Sequence, residues 1–327
     1  MQPNYSDEQV QLAARLYYTD NFGQSEVARF VGVSQTKVSR LLSLARERGI
    51  VQITVADYQP RNLDLEKQLV AEFGLKTAAV IKTAQNIASE DQRRTLAHFG
   101  SPFIASLILP NGTVAIAGGR TMRELVDHFP ADATRRLTII QAMGSVDSNV
   151  GVVDASELGR AMAQKTGGVF LTINTPAFVP DKMMRDALLN LEQIRFVWHR
   201  LSQADTALIG IGTLENSIFV DRGVFSAEDL QKLKAAGAVG EICGRFFDKD
   251  GQECSSPWRD RVISVELEQL RKTPQVIAMV AGNDRSMAIA AAIRGGLLKA
   301  LVIDEAGAKA LLGKDSPLTA AKPKSSK

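Results

Sequence analysis

Between Gln35 and Arg46 the chain carries Gln35, Thr36, Lys37, Ser39, Arg40, Ser43 and Arg46, a set of amide, hydroxyl and cationic side chains. Near the start of a helix such groups can read base edges in a major groove, and cations further along meet phosphates. Their scaffold is written between them. Val38, Leu41, Leu42 and Ala45 fall at i, i+3, i+4 and i+7, one buried stripe, and Ser34 stands where an N-cap accepts a backbone N–H. A shorter helix over Gln24 to Val31 carries Val27, Ala28, Phe30 and Val31, and Gly32 with Val33 forms a turn of the length that joins crossed helices. Behind these two should pack a first helix, opened by Ser6, Asp7 and Glu8 and ended by Asn21 to Gly23. After Gly49, Val51, Ile53 and Val55 alternate with Gln52 and Thr54, which predicts a strand, the wing of a winged helix. One charged face alone describes any surface helix. The combination points to a helix-turn-helix for double-stranded DNA.

A second group of candidate side chains lies in glycine-bearing loops. VAIAGGRTMRELV sets Gly118 and Gly119 before Arg120 and Thr121; IIQAMGS ends at Gly144 and Ser145; ALIGIGTL carries Gly210, Gly212 and Thr213; MVAGNDRSMAI carries Gly282, Asn283, Asp284, Arg285 and Ser286. Backbone N–H groups at a helix start can cradle an anion, with Arg120 and the Thr121 hydroxyl adding donors. A glycine between strand and helix is also needed simply to turn the chain. Four such loops, two with an arginine at the helix start, support an anionic small ligand. There is no Walker A pattern and no full GxGxxG at a first strand, so no nucleotide cofactor is expected. Within Gly237–Gly251, the residues Glu241, Arg245 and Asp248 read equally as a cluster that hydrogen-bonds a polyol or as a β-hairpin turning at Asp248–Gly251 with solvated charges.

These loops need strands and helices to hold them. From Thr77 onward apolar runs alternate with amphipathic stretches, the pattern of a parallel sheet covered on both faces. Strands are predicted at Thr77–Ile81, Thr113–Ala117, Leu137–Ala142, Val169–Ile173, Thr206–Ile211, Val276–Val280 and Ala300–Ile303. Helices are predicted at Asp91–Leu109, Thr121–Phe129, Glu157–Lys165, Asp181–Asn190 and Ser286–Arg294, with a short one through Leu65, Leu69, Val70 and Phe73 before Gly74. The fold class is therefore α/β: an N-terminal winged helix-turn-helix over residues 1–56, a linker over 57–63, and a Rossmann-like effector and oligomerisation domain over 64–313. Pro, Ser and Lys dominate 314–327, which is expected to be a disordered tail.

Length and composition agree with two domains: 327 residues with 45% hydrophobic content. A net charge of +3 means that any nucleic-acid affinity must come from a local patch. Cys243 and Cys254 are the only cysteines, without the partners of a zinc site, and read as free thiols. The N-terminus shows no export signal, and no apolar run reaches the ~18 residues of a membrane helix, so a soluble, cytoplasmic protein without membrane contact is expected.

With these pieces in place, the chain resembles the SorC family of sugar-binding transcriptional regulators over nearly its whole length. The resemblance rests on SEVARFVGVSQTKVSRLLSLARERGIVQI, VAIAGGRTMRELV, TPAFVPDKMMRDALL, QADTALIGIGTL, GAVGEICGRFFDKDG and GNDRSMAIAAAIRGGLLKALVIDEAGAKALL, in this order and spacing. It implies an effector domain similar in fold to sugar-phosphate isomerases and glucosamine-6-phosphate deaminase, a homodimer or homotetramer, and a phosphorylated sugar or related metabolite as effector. It also implies that the phosphate loop falls at Gly118–Thr121, an acidic ligand residue at Glu241, and a phosphate-meeting cation at Arg285. This sequence has Arg120 where a smaller threonine-like residue is usual and Arg285 in place of a lysine. A guanidinium keeps the charge with a different shape and cannot form a Schiff base.

The rival class is a sugar-phosphate isomerase or deaminase, which requires a general base in the pocket. His98, His128 and His199 fall in helix-like stretches away from the loops; Glu241 and Asp205 remain as bases with no activating partner. The expectation is thus no catalytic residue, no cofactor and no metal. A third class, an effector binder with no DNA partner, is opposed by the first domain. The function expected is a DNA-binding regulator of carbohydrate metabolism whose operator affinity is set by a sugar, sugar-phosphate or polyol.

Overall fold

A computed structural model describes residues 5–84, 86–147 and 151–313; the tail expected over 314–327 lies outside these. The chain divides into two compact units, Met1–Tyr58 and Gln59–Lys327.

In the first unit, α1 (Asp7–Ala14) continues as a π-turn over Arg15–Thr19 and is followed by α2 (Gln24–Val31) and α3 (Gln35–Glu47). Ser6 caps α1 by accepting the Gln9 N–H, and Ser34 caps α3 by accepting the Lys37 N–H at 3.4 Å. Gly32, with φ +70°, ends α2 in the left-handed conformation that a glycine adopts without strain. Val10, Ala13, Val27, Val38, Leu41 and Ala45 are fully buried and knit the three helices together. Arg48 closes the bundle by pairing with Asp7.

The wing expected over Val51–Val55 is not formed. Residues 52–60 carry no strand pairing, and Ile53 and Val55 are 56% and 78% exposed. The alternation is that of a strand, but a ladder needs a second strand to accept its N–H and C=O groups, and none of the described residues between Gly49 and Tyr58 supplies one.

The second unit runs α4 (Leu63–Phe73), β1 (Thr77–Ile81), α5 (Ser89–Leu107), β2 (Thr113–Ile116), α6 (Arg120–His128), β3 (Thr138–Gln141), α7 (Ala155–Lys165) and β4 (Val169–Leu171). It continues with α8 (Lys182–Leu189), α9 (Glu192–Ser202), β5 (Thr206–Ile209), α10 (Ile218–Asp221), α11 (Ala227–Ala235), β6 (Gly240–Ile242) and β7 (Arg245–Phe247). It closes with α12 (Leu267–Lys272), β8 (Gln275–Val280), α13 (Ser286–Arg294), β9 (Ala300–Asp304) and α14 (Glu305–Leu312).

Seven strands form one parallel sheet in the order β1-β9-β8-β5-β2-β3-β4. Every residue of β5 and β9 is buried, so side chains on both faces are covered, as the unbroken apolar runs require. After β2 the chain adds β3 on one side, whereas β5 joins β2 on the other. The order therefore reverses between β2 and β5, the point where such sheets open a crevice at their carboxyl ends.

The outer edge of β1 is covered by the chain that precedes it. Arg61 bridges antiparallel to Ile81, the Asn62 N–H donates to Val80 O at 2.8 Å, and the Lys82 N–H donates to Pro60 O at 2.8 Å. The Arg61 fork donates to both oxygens of buried Glu66, at 2.7 and 2.6 Å, and Glu66 Oε1 accepts the Val80 N–H.

At the same carboxyl end of this strand pair, in register with Ile81, fully buried Asp304 ends β9. Its Oδ1 accepts the Gly282 N–H at 2.7 Å; its Oδ2 accepts from Gln92 Nε2 and from the Ala306 and Gly307 N–H groups. Replacing Asp304 with Ala strands these donors, so Asp304→Ala is expected to lower the unfolding free energy by ~3 kcal/mol. Denaturant titration of the full chain checks this, and an unchanged midpoint would show that the network carries no stability.

Candidate effector site and nucleic-acid interface

The sheet reversal opens into a cavity of about 220 Å³, lined by residues that leave the carboxyl ends of β2, β3, β5 and β8. It gathers Gly118, Gly119, Arg120, Thr121, Gly212, Glu241 and Arg285, which the sequence scatters over 168 positions from first to last, counting 118 to 285 inclusive.

Gly119 has φ +122° and its N–H donates to Val153 O at 2.8 Å, so that group is already committed. The N–H groups of the first turn of α6, from Arg120 to Met122, have no partner inside the helix and carry its positive end. Gly212 exchanges both backbone hydrogen bonds with Glu241, and a Cβ there would stand 2.9 Å from Glu241 Oε2. A glycine is thus the residue that lets this carboxyl group lie across the strand end.

Glu241 is 7% exposed; its Oε1 accepts the Gly244 N–H at 2.6 Å and its carboxylate takes a further hydrogen bond from Ser217. Burial holds its carboxyl above the usual range, and those two hydrogen bonds oppose the shift without cancelling it. Arg285 donates to Ala281 O at 2.8 Å and to Asp284 Oδ1 at 2.9 Å. Arg120 Nη2 lies 3.5 Å from Asp221, and Arg222 Nη1 donates to Asp147 at 2.6 Å.

Gly144 lies in a smaller adjoining recess with Gly118, Met143, Val153 and Asp154. Packing accounts for this glycine, because a Cβ would meet Pro176 O at 2.4 Å. The Gly237–Gly251 segment departs from both sequence readings. It is a hairpin, but β6 and β7 turn at Cys243 and Gly244, with φ +52° and +78°, and not at Asp248–Gly251. Its charges are not solvated together: Arg245 is buried against Glu253 and the Val265 and Ser264 carbonyls, and Asp248 accepts the Asp250 and Gln252 N–H groups. Only Glu241 of that trio reaches the cavity.

Sequence reasoning missed Arg93, Asn216, Asp221 and Arg222, all of which line the cavity. Arg93 sits inside α5 rather than at a strand end, so the glycine-loop signal passes over it. Of the groups considered as bases, His98, His128 and His199 do not line the cavity, and Asp205 sits at the amino end of β5, where it accepts the Thr113 N–H at 2.8 Å. Both cysteines are buried thiols, and desolvation raises each, Cys254 to about 11. No helix among the described residues is long and apolar enough to cross a membrane.

On α3, Gln35, Thr36, Lys37, Ser39, Arg40 and Arg46 are exposed, and Ser43 is half-buried beneath a hydrogen bond from Arg46 at 3.2 Å. Val38, Leu41, Leu42 and Ala45 face the bundle core. The polar groups are therefore presented to solvent along one helix.

Residues 58–313 match the Sugar-bind family, a sugar-binding domain. The crystal structure of the full-length sorbitol operon regulator SorC from Klebsiella pneumoniae aligns over 95% of this chain and 100% of its own, with TM-score 0.76 and 26% identity. The deoxyribonucleoside regulator of Bacillus subtilis is 30% identical over 310 residues, covering 92% of this chain and 96% of its own length. The erythritol catabolism regulatory protein of Brucella abortus is 27% identical, covering 92% and 95%. Fold, cavity and relatives define a transcriptional regulator with a sugar-binding domain. The chain belongs to the SorC family of such regulators.

The Glu241 carboxyl binds its proton more tightly in the folded chain than in the unfolded one. Stability contributed by that proton is lost as pH rises from the ordinary value of 4.5 through the raised one. Glu241→Gln is free of this loss, so its stability should gain on the wild type as pH rises through that window. Denaturant melts across pH check the sign; a constant difference would mean that Glu241 ionises freely in the fold.

Proposed function

We propose that α3 binds double-stranded operator DNA and that a phosphorylated sugar or polyol, held in the cavity at the sheet reversal, alters that binding. The observation that carries the reading is the convergence of Gly118–Thr121, Arg285 and Glu241 on one cavity: a helix start and guanidinium groups for an anion, and a buried carboxyl for hydroxyls. The names of the relatives, which concern sorbitol, erythritol and deoxyribonucleosides, support a carbohydrate effector.

In this reading Gln35, Thr36, Lys37, Ser39 and Arg40 meet base edges, and Ser43 and Arg46 meet phosphates. The protein acts in the cytoplasm as a homodimer or homotetramer, because one recognition helix per chain reads one half-site and paired half-sites need paired chains. It binds its effector without turnover. The histidines stand outside the cavity, so none of them activates Glu241 as a base there. Coupling is by linkage: the effector binds one state of the oligomer more tightly and shifts its population. The Asp304 network supports a route for this. It holds the Gly282–Arg285 loop, and adjacent Glu305 accepts a hydrogen bond from Asn62 at the start of α4.

Arg40→Ala is expected to weaken operator binding by roughly tenfold or more and to leave effector affinity unchanged. Operator titration over a range of salt measures the first and calorimetry the second; undiminished DNA affinity would move the reading helix elsewhere. In a thermal-shift screen, phosphorylated sugars should raise the melting temperature by mass action. Arg120→Ala and Arg285→Ala should abolish that rise. A neutral polyol that stabilises all three chains alike would remove the anion site.

A further inference from the structure

Arg93 differs from the other guanidinium groups around the cavity in having no acceptor among the described residues. Arg120 lies beside Asp221, Arg222 donates to Asp147, and Arg285 donates to Asp284 and Ala281 O. Among the described residues, Arg93 makes no ion pair within 4.0 Å, although it lines the same cavity. It is half-buried on α5, and α5 packs against α6, the helix that Arg120 opens. Desolvation, then the charges of Arg120 and Arg285, make its protonated form harder to hold, while Glu124 and Glu90 act the other way. A guanidinium nevertheless stays charged in a protein. Four cations thus line one space, and three of them have a carboxylate partner.

We infer that Arg93 is an effector-binding residue and that, with Arg120 and Arg285, it selects a phosphomonoester in its dianionic form. This rests on the anion-site reading above and narrows it. A neutral sugar offers the three guanidinium groups hydroxyl acceptors but no negative charge. A carboxylate brings one delocalised charge and two oxygens, which one fork satisfies. A phosphomonoester brings up to two charges and three terminal oxygens, enough for three donors, and its second proton leaves near pH ~6. Asp221 and Asp284 stand beside Arg120 and Arg285 as internal carboxylates, so a weakly charged ligand competes poorly for those two residues.

The test is calorimetric binding of inorganic phosphate and of sulfate to the full chain, at about pH 8 and about pH 5, where phosphate is mainly the dianion and the monoanion respectively. Sulfate stays doubly charged at both, so any titration of the protein acts on the two ions alike. That includes Glu124, which faces Arg93, and His128, which pairs with Glu124. Wild type should lose phosphate affinity at the lower pH relative to sulfate. Arg93→Gln should weaken both dianions by roughly 10- to 100-fold and shrink the difference between the two pH values. Arg93→Lys, which keeps the charge without the fork, should fall between. Thermal melts establish that the variants are folded.

If phosphate tracks sulfate across pH, or if Arg93→Gln binds both ions as the wild type does, the inference is overturned. Should Arg120→Ala and Arg285→Ala still weaken binding in that case, the anion site survives without Arg93. If neither ion binds the wild type, the anion site falls with it.

Discussion

The carboxylate of Asp304 is the constraint on which the sensing end of the sheet depends. It is fully buried, and an unpaired charge there would be costly, so its position is dictated by donors from three directions. Gly282 brings the loop that carries Arg285, Gln92 brings the α5 turn that carries Arg93, and Ala306 with Gly307 opens α14. Two of the cavity's arginines therefore hang from elements fastened to one side chain. The next residue, Glu305, reaches Asn62, which lies beside the strand-like segment that borders β1. A shift of the Arg285 loop has to be absorbed by this network, because a packed interior changes between discrete arrangements more readily than it deforms.

The cavity itself balances repulsion against neutralisation. Arg93, Arg120, Arg222 and Arg285 face inward, and Asp221, Asp147 and Asp284 hold three of them. Burial raises the Glu241 carboxyl above the usual carboxylate range, and the Gly244 N–H and Ser217 hydroxyl oppose that shift. The result is a polar space with a cationic bias at one side and a hydroxyl-compatible group at another. Such asymmetry orients a ligand that has one charged and one neutral end.

The inner strands of the parallel sheet were legible because strands covered on both faces are apolar nearly without interruption, a signal that survives without knowing what packs on them. The glycine loops were legible for a related reason: at Gly119 a φ of +122° admits little else, and at Gly212 a Cβ would crowd the Glu241 carboxyl. Gly144 carried the same letter for a different cause, close packing on Pro176, and spacing does not separate the two. Arg93 was invisible because its role depends on which face of α5 meets α6, a tertiary fact. The turn at Cys243–Gly244 hid behind the stronger Asp248–Gly251 turn signal, which forms its own reversal one strand later. The wing failed where pattern promised a strand but no partner was encoded beside it.

The segment Gln59–Asn62, hydrogen-bonded along β1 and locked by Arg61 onto Glu66, has a practical corollary for anyone dissecting the protein. A sensor fragment begun at α4 would bare the rim of the sheet, leaving a row of open amides and carbonyls ready to zip onto a neighbouring molecule. A fragment begun a few residues earlier keeps its own selvedge, so the difference between a well-behaved truncation and an aggregating one comes down to a single short stitch of main chain.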